Sequence, residues 1–261
     1  MEVLHSKIVG EGQPLLILHG YFGMGDNWKS HANKFAEDGF EVHLIDQRNH
    51  GRSFHADAFD YELLVSDLHN YIQHHNLTKV DLLGHSMGGK TAMLFATKHS
   101  ELVRKLLVAD ISPREYPPHH HEILAALNAV DFSVQTSRTL IDKKLAELIP
   151  EKGIRQFLAK NVYRKTKDEL AFRFNLPSLT ENNSEVGVAL PPFTVFEGDT
   201  LFLRGANSRY ISEEDEPLIQ AHFPNAEIKT IIRAGHWLHA ENPKDFYKEA
   251  VFFLTINEGG C

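Results

Sequence analysis

A chain of 261 residues with 42% hydrophobic and 24% charged side chains has ordinary globular usage and room for a sizeable core, which excludes a disordered or coiled-coil chain. Its formal charge of -8, with no block of Lys and Arg to neutralise a row of phosphates, argues against nucleic acid and for a small-molecule or acyl-carrier partner. The only cysteine, Cys261, permits no intrachain disulfide, and no secretory leader or long apolar run is present, so the expectation is a soluble cytoplasmic protein with no membrane partner.

Short apolar runs recur along the chain at 15–18 (LLIL), 42–45 (VHLI), 80–83 (VDLL), 106–109 (LLVA), 201–203 (LFL) and 228–232 (IKTII). Helical patterns lie between most of them. In 61–72 the apolar residues Tyr61, Leu64, Val65, Leu68, Tyr71 and Ile72 fall on one face, and 90–98 also reads as helix. Strand and helix thus alternate, and the strands are apolar throughout rather than at every second residue. That combination predicts an α/β fold whose mostly parallel sheet is covered by helices on both faces. Ligands of such sheets bind beyond the carboxyl ends of the strands.

The alternation breaks between Pro113 and Pro192. Helical patterns at 122–130 and 137–148, a basic segment at 164–167 and no convincing buried strand predict a helical cap over the ligand side, punctuated by Pro113, Pro117 and Pro118 at one end and Pro191-Pro192 at the other. The expected organisation is a core of 1–112 and 193–261 with a cap insertion at 113–192.

The strand ends carry the chemistry. Gly84-His85-Ser86-Met87-Gly88 follows a strand and opens a helix, the context of a G-x-S-x-G nucleophile elbow. A residue turning directly from strand to helix is strained, and Gly84 and Gly88 give it the clearance that side chains would deny. A serine hydroxyl needs a base, and the base an orienting acid. His236, in the loop after the last strand, is the candidate base. His239 three residues on suggests a metal pair, but no carboxylate arrangement completes a site, so neither metal nor cofactor is expected. Asp110, directly after the 106–109 strand, is the candidate acid. Asp199 precedes its strand, at the wrong end of the sheet, and Asp215 sits in an acidic run, 213–216, that reads as a solvated helix start. Ser86, Asp110 and His236 keep the chain order nucleophile, acid, base. An oxyanion needs two backbone donors. Met87 supplies one, and Tyr21 in His19-Gly20-Tyr21-Phe22-Gly23 the other, with Phe22 as the alternative. Arg48 and Asn49 are expected to tie neighbouring loops together, and His119-His120-His121 to form a solvated loop. Arg114 and Arg209, near the site loops, are candidates to hold an acidic acyl or phosphate group, although exposed arginines are usually solvated.

Together these residues resemble the α/β-hydrolase superfamily. "DQRNHGRS" (46–53), "GHSMGGK" (84–90), "ADISPREY" (109–116) and "GHWLHAENP" (235–243) are more closely similar to the bacterial cytosolic YbfF-type esterases, over nearly the whole chain. The resemblance implies carboxylesterase activity on small acyl esters or acyl thioesters, with the acid where Asp110 stands. It also implies a triad-supporting hydroxyl at Ser208, in the loop where many members of the superfamily keep their aspartate. Thioesterase and carbon-carbon hydrolase chemistry use the same constellation, and the fold also serves as a non-catalytic receptor for small ligands.

Overall fold

In the computed structural model, which describes residues 2–118 and 120–256, successive residues of the apolar runs point to opposite faces of one sheet. Leu15, Ile17, Leu83, Leu107, Leu201 and Leu203 pack into one core layer, and Leu16, Leu18, Leu82, Leu106 and Phe202 into the other. A strand buried on both faces reads as a continuous hydrophobic run, which is why these segments were recognisable.

The core strands are β1 (Ser6–Val9), β2 (Gln13–Leu18), β3 (Phe40–Ile45), β4 (Val80–His85), β5 (Val103–Ala109), β8 (Asp199–Gly205) and β9 (Ala226–Ile231), in the order β1-β3-β2-β4-β5-β8-β9. All neighbouring pairs are parallel except β1 with β3. β1, partly exposed and only four residues long, carries no apolar run and gave no signal in the sequence. The helices α1 (Lys29–Glu37), α9 (Leu238–Glu241) and α10 (Pro243–Thr255) cover one face, through Phe35, Leu238 and Phe246. On the other lie α2 (Tyr61–His74), α3 (Met87–Lys98) and α8 (Glu216–His222), through Tyr71, Phe95 and Ile219. Asn242 caps α10 by accepting the Asp245 amide, and Pro243 stands at its first position.

Between β5 and β8 the chain forms α4 (His121–Asn128), α5 (Arg138–Leu145), α6 (Lys152–Ala159), a hairpin of β6 (Val162–Arg164) and β7 (Leu170–Phe172), and α7 (Leu176–Glu181). The hairpin corrects the expectation of an all-helical segment: strands of three residues are too short to show a period. Its entry and exit run side by side, with the Leu190 amide donating to Pro113 and the Tyr116 amide to Gly187. A third apolar cluster joins Leu124, Leu127, Ile141, Leu158 and Leu179 of this segment to Tyr21, Phe22, Phe59 and Met87 of the core. Lys90 of α3 fastens both ends of the segment by donating to the carbonyls of Arg114 (2.7 Å) at its entry and of Gly187 (3.1 Å) and Val188 at its exit. Cys261 and His119 lie outside the described residues. Among the described residues no helix is long and apolar enough to cross a membrane.

Candidate active site

Ser86 is the single residue between β4 and α3, at φ 53° and ψ -120°. The two glycines that flank it are required sterically. A Cβ on Gly84 would lie 2.2 Å from the Gly88 carbonyl oxygen, and one on Gly88 2.3 Å from that of Leu18. Both distances are far inside contact, so the turn cannot form with side chains there. The free amides at the start of α3 and the positive end of its dipole then face the Ser86 hydroxyl.

Asp110, likewise the first residue after its strand and at φ 53°, is fully buried. A buried carboxylate is tolerated where donors satisfy it, and three converge here. Oδ1 accepts the Gly205 amide at 2.9 Å, and Oδ2 accepts both the Ser208 hydroxyl and Nδ1 of His236, the latter at 2.8 Å. Since a carboxylate only accepts, Nδ1 of His236 carries the proton. That leaves Nε2 free to accept from Ser86 Oγ, 3.0 Å away.

Two neighbours hold His236, one at its ring and one at its backbone. Tyr210 stacks on it with centroids 3.8 Å apart and planes 17° from parallel. His85 Nε2 lies 2.8 Å from the His236 carbonyl. Burial pushes the His85 imidazole down to about 3, and the adjacent His236 ring adds to the fall, so a neutral His85 donates that bond.

The loop after β2 comes up against the serine: a Cβ on Gly20 would lie 2.9 Å from His85 Nδ1 and 3.3 Å from Ser86 Cβ. Of the two candidate amides in this loop, that of Phe22 already donates to His50 Nε2 at 3.2 Å. Burial, with His19 nearby, lowers His50 to about 3 and so keeps its acceptor nitrogen unprotonated. Among the described residues, Tyr21 and Met87 are then the amides beside Ser86 without such a commitment.

A cavity of about 240 Å³ opens over Ser86 and His236. Its walls are mostly apolar, with Trp28 and Trp237 from the core, Ile123 from α4, and Ile154, Phe157 and Leu158 from α6. His239 also lines it, stacked on Trp28 at 4.0 Å.

Three surface expectations are corrected. His120 lines the cavity against Tyr21, ring centroids 5.0 Å apart, instead of standing in a solvated loop, since it directly precedes α4, whose Ile123 lines the same cavity. Asp215 is 4% exposed, not solvated: its carboxylate pairs with Arg114 at 2.9 Å and accepts from Ser112 and Ser212. Arg114 is accordingly engaged there and over the Tyr116 ring, and neither it nor the exposed Arg209 lines the cavity. Asp199 opens β8, at the opposite end of the sheet from Ser86. Arg48 and Asn49, expected to tie neighbouring loops together, tie their own loop to two helices, α2 and α7. Arg48 holds Asp67 with two bonds of 2.5 and 2.8 Å, and Asn49 donates to Ser178 Oγ in α7 at 2.9 Å. The sequence did not point to His85, Tyr210 or the wall residues Trp28, Ile123, Ile154, Phe157 and Trp237, whereas Tyr21 and Phe22, whose side chains are expected to wall an apolar pocket, do line the cavity. His85 had a local signal as the second residue of the elbow motif, whereas Tyr210 had none.

Residues 13–148 match the family model described as alpha/beta hydrolase fold. The chain is 38% identical to the sn-1-specific diacylglycerol lipase ABHD11 of Danio rerio, over 94% of this chain and 79% of that protein. It is 33% identical to esterase YbfF of Escherichia coli, over 88% of each. Among solved structures, a marine microorganism esterase superposes with a TM-score of 0.94 at 43% identity, over 97% of this chain and all of that one.

Proposed function

The chain belongs to the alpha/beta hydrolase family and is an ester-hydrolysing enzyme, and from that premise we propose that it is a carboxylesterase of small acyl esters working through an acyl-enzyme on Ser86. The observation that carries this reading is the continuous line from Ser86 Oγ through His236 to Asp110, with steps of 3.0 and 2.8 Å, at the floor of an apolar cavity.

Ser86 Oγ attacks the ester carbonyl carbon while His236 Nε2 takes its proton. Asp110, holding Nδ1–H, orients the ring and stabilises the imidazolium. The carbonyl oxygen becomes an oxyanion between the Met87 and Tyr21 amides, each such donor being worth roughly 10²–10³ in kcat. Collapse expels the alcohol, which takes the proton from His236, and water enters by the same steps in reverse to release the acid. The segment 113–192 acts as a cap whose α4 and α6 side chains bound the acyl site. The cavity is smaller than the roughly 300–1,000 Å³ of drug-sized sites, which supports short acyl groups. The same reading has the enzyme in the cytoplasm, supported by a lone cysteine that permits no intrachain disulfide.

The test is a fluorophosphonate probe with mapping of the adduct by mass spectrometry, beside a p-nitrophenyl ester series from acetate to palmitate. One adduct on Ser86 and an optimum among the short chains are expected. No adduct and no turnover would move the reading to a non-catalytic receptor.

A further inference from the structure

Two side-chain bonds join the cap to the loop that carries Tyr21, and neither belongs to the triad. The Tyr21 hydroxyl donates to the carbonyl of Leu179 in α7 at 2.7 Å. Asn161, directly before β6, donates from Nδ2 to the carbonyl of Phe22 at 2.8 Å. Phe22 lies between these anchors at φ 58°, a conformation that a bulky residue keeps only where its surroundings over-determine it. They do so from both sides: the core's His50 takes the Phe22 N–H and the cap's Asn161 takes its C=O.

Asn161 is fully buried, and its Oδ1 has no partner among the described residues. An apolar side chain of similar size would avoid leaving an acceptor unsatisfied. Packing alone therefore gives no reason for an amide at this position, whereas the bond to Phe22 does. Because the acceptor is a carbonyl oxygen, the end of the amide that faces it has to be nitrogen.

We propose that Asn161 and the Tyr21 hydroxyl are positioning residues, through which the docked cap holds the Tyr21 amide in line with the oxyanion formed at Ser86. This rests on the reading of Ser86 as nucleophile and the Tyr21 amide as donor. A cap that loosens frees the Phe22 carbonyl, the Phe22 turn relaxes, and the adjoining Tyr21 peptide leaves the oxyanion. Cap docking and assembly of the oxyanion hole are then one event.

The experiment compares the full-length wild type with Asn161→Asp, Tyr21→Phe and the double variant. Asn161→Asp keeps the side-chain shape and replaces the amide donor by a carboxyl, which can donate to the Phe22 carbonyl only while protonated, so its kcat is read at pH 8 as well as pH 6. Tyr21→Phe leaves the backbone amide and ring in place. Active sites are first counted by labelling to completion with a fluorophosphonate. Turnover per labelled site is then measured on p-nitrophenyl butyrate and on its thiono (C=S) analogue, together with the melting temperature. A displaced donor is expected to cost part of the roughly 10²–10³ of a deleted one. Each single variant should thus lose about 10- to 100-fold in kcat, with KM within about threefold, because the apolar cavity binds the ground state without these amides. The preference for the ester over the thionoester should narrow with it, since the hole is shaped for a developing oxygen anion. The double variant should lose less than the product of the singles, both acting on one loop. Variants that melt lower but keep wild-type kcat per labelled site and the wild-type ester preference would overturn the proposal, as would a loss confined to KM. Failure of the wild type to label at Ser86 would instead overturn the reading beneath it.

Discussion

Replacing Asp110 by asparagine tests the assignment of the acid most directly, because the surroundings dictate which way the new amide must turn. The Gly205 N–H, 2.9 Å from Oδ1, is a fixed backbone donor and demands an acceptor. The oxygen of the introduced amide is therefore held on that side, and its NH2 group takes the place of Oδ2. There it meets Nδ1 of His236, 2.8 Å away in the native site, and the Ser208 hydroxyl. The hydroxyl can rotate to accept. The imidazole can avoid a clash of donors only by moving its proton to Nε2, the atom that has to receive the proton of Ser86. The expected result is a folded enzyme with the wrong tautomer and a loss in kcat of about 10⁴, equivalent to about 5 kcal/mol of transition-state stabilisation. Steady-state hydrolysis of a p-nitrophenyl ester, normalised to correctly folded protein, measures it. Asp215→Asn is the control: it breaks the bond to Arg114 and should cost about 1–3 kcal/mol of stability, seen as a lower melting temperature, with kcat within a few fold. A loss below about tenfold for Asp110→Asn, or an equal loss of kcat at Asp215, would refute the assignment.

Ser208→Ala removes one of two donors to Asp110 Oδ2 and also the acceptor of the Tyr210 amide, 3.2 Å away. A hydrogen bond to a charged group is worth about 1.5–3 kcal/mol, so a loss of about 10- to 100-fold in kcat is expected in the same assay, and wild-type rates would reduce Ser208 to a turn residue. Acid should unfold the protein steeply. Burial lowers His19 to about 4 and His50 and His85 to about 3, against 6.5 when unfolded. Below about pH 6.5 the unfolded chain therefore binds protons that the native state refuses. The stability these groups allow is fully present above that pH and falls by about 1.4 kcal/mol per unit for each histidine as pH drops toward about 4. At pH 5 the three together cost on the order of 6 kcal/mol, a large part of the ~5–15 kcal/mol of a typical domain. Circular dichroism against pH should show unfolding near or above pH 4, and a native spectrum at pH 3.5 would refute this role of the buried histidines.

What could be read from the sequence was whatever is fixed within a few residues. The elbow was legible because Gly84 and Gly88 answer a steric need created two positions away, and the doubly buried strands because burial on both faces leaves an unbroken apolar run. Asp110 was reached by elimination, from its place at a strand end. What failed depends on partners far along the chain. The acidic run around Asp215 resembles a solvated helix start, and only Arg114, brought over by the fold, makes it a buried pair. α6 lies outside the helical patterns read from the sequence, and nothing local tells that Ile154 and Phe157 meet a cavity above Ser86 and not plain core. Asn161, between α6 and β6 with no motif around it, reaches a loop 139 residues away in sequence.

Strain gathers along the carboxyl edge of the sheet, and how it is held divides the site in two. Each of four adjacent strands is followed within four residues by a non-glycine residue at positive φ: Phe22 at 58° after β2, Asn49 at 64° after β3, Ser86 at 53° after β4 and Asp110 at 53° after β5. Such residues cost about 1–3 kcal/mol each, asparagine least, and persist where fixed by other bonds. Ser86 and Asp110 are fixed by the core alone, through their amides to Ala109 (3.1 Å) and Leu203 (2.8 Å). The backbone groups of Phe22 and of Asn49 each have one bond to the core and one to the segment between β5 and β8. The Asn49 carbonyl accepts the Asn175 amide at 2.8 Å, as that of Phe22 accepts Asn161. A core stripped of that segment would thus retain the turns of the nucleophile and the acid. It would lose half of the backbone bonds that fix the loops beside them, so in the proposed mechanism the segment would contribute to turnover beyond bounding the pocket.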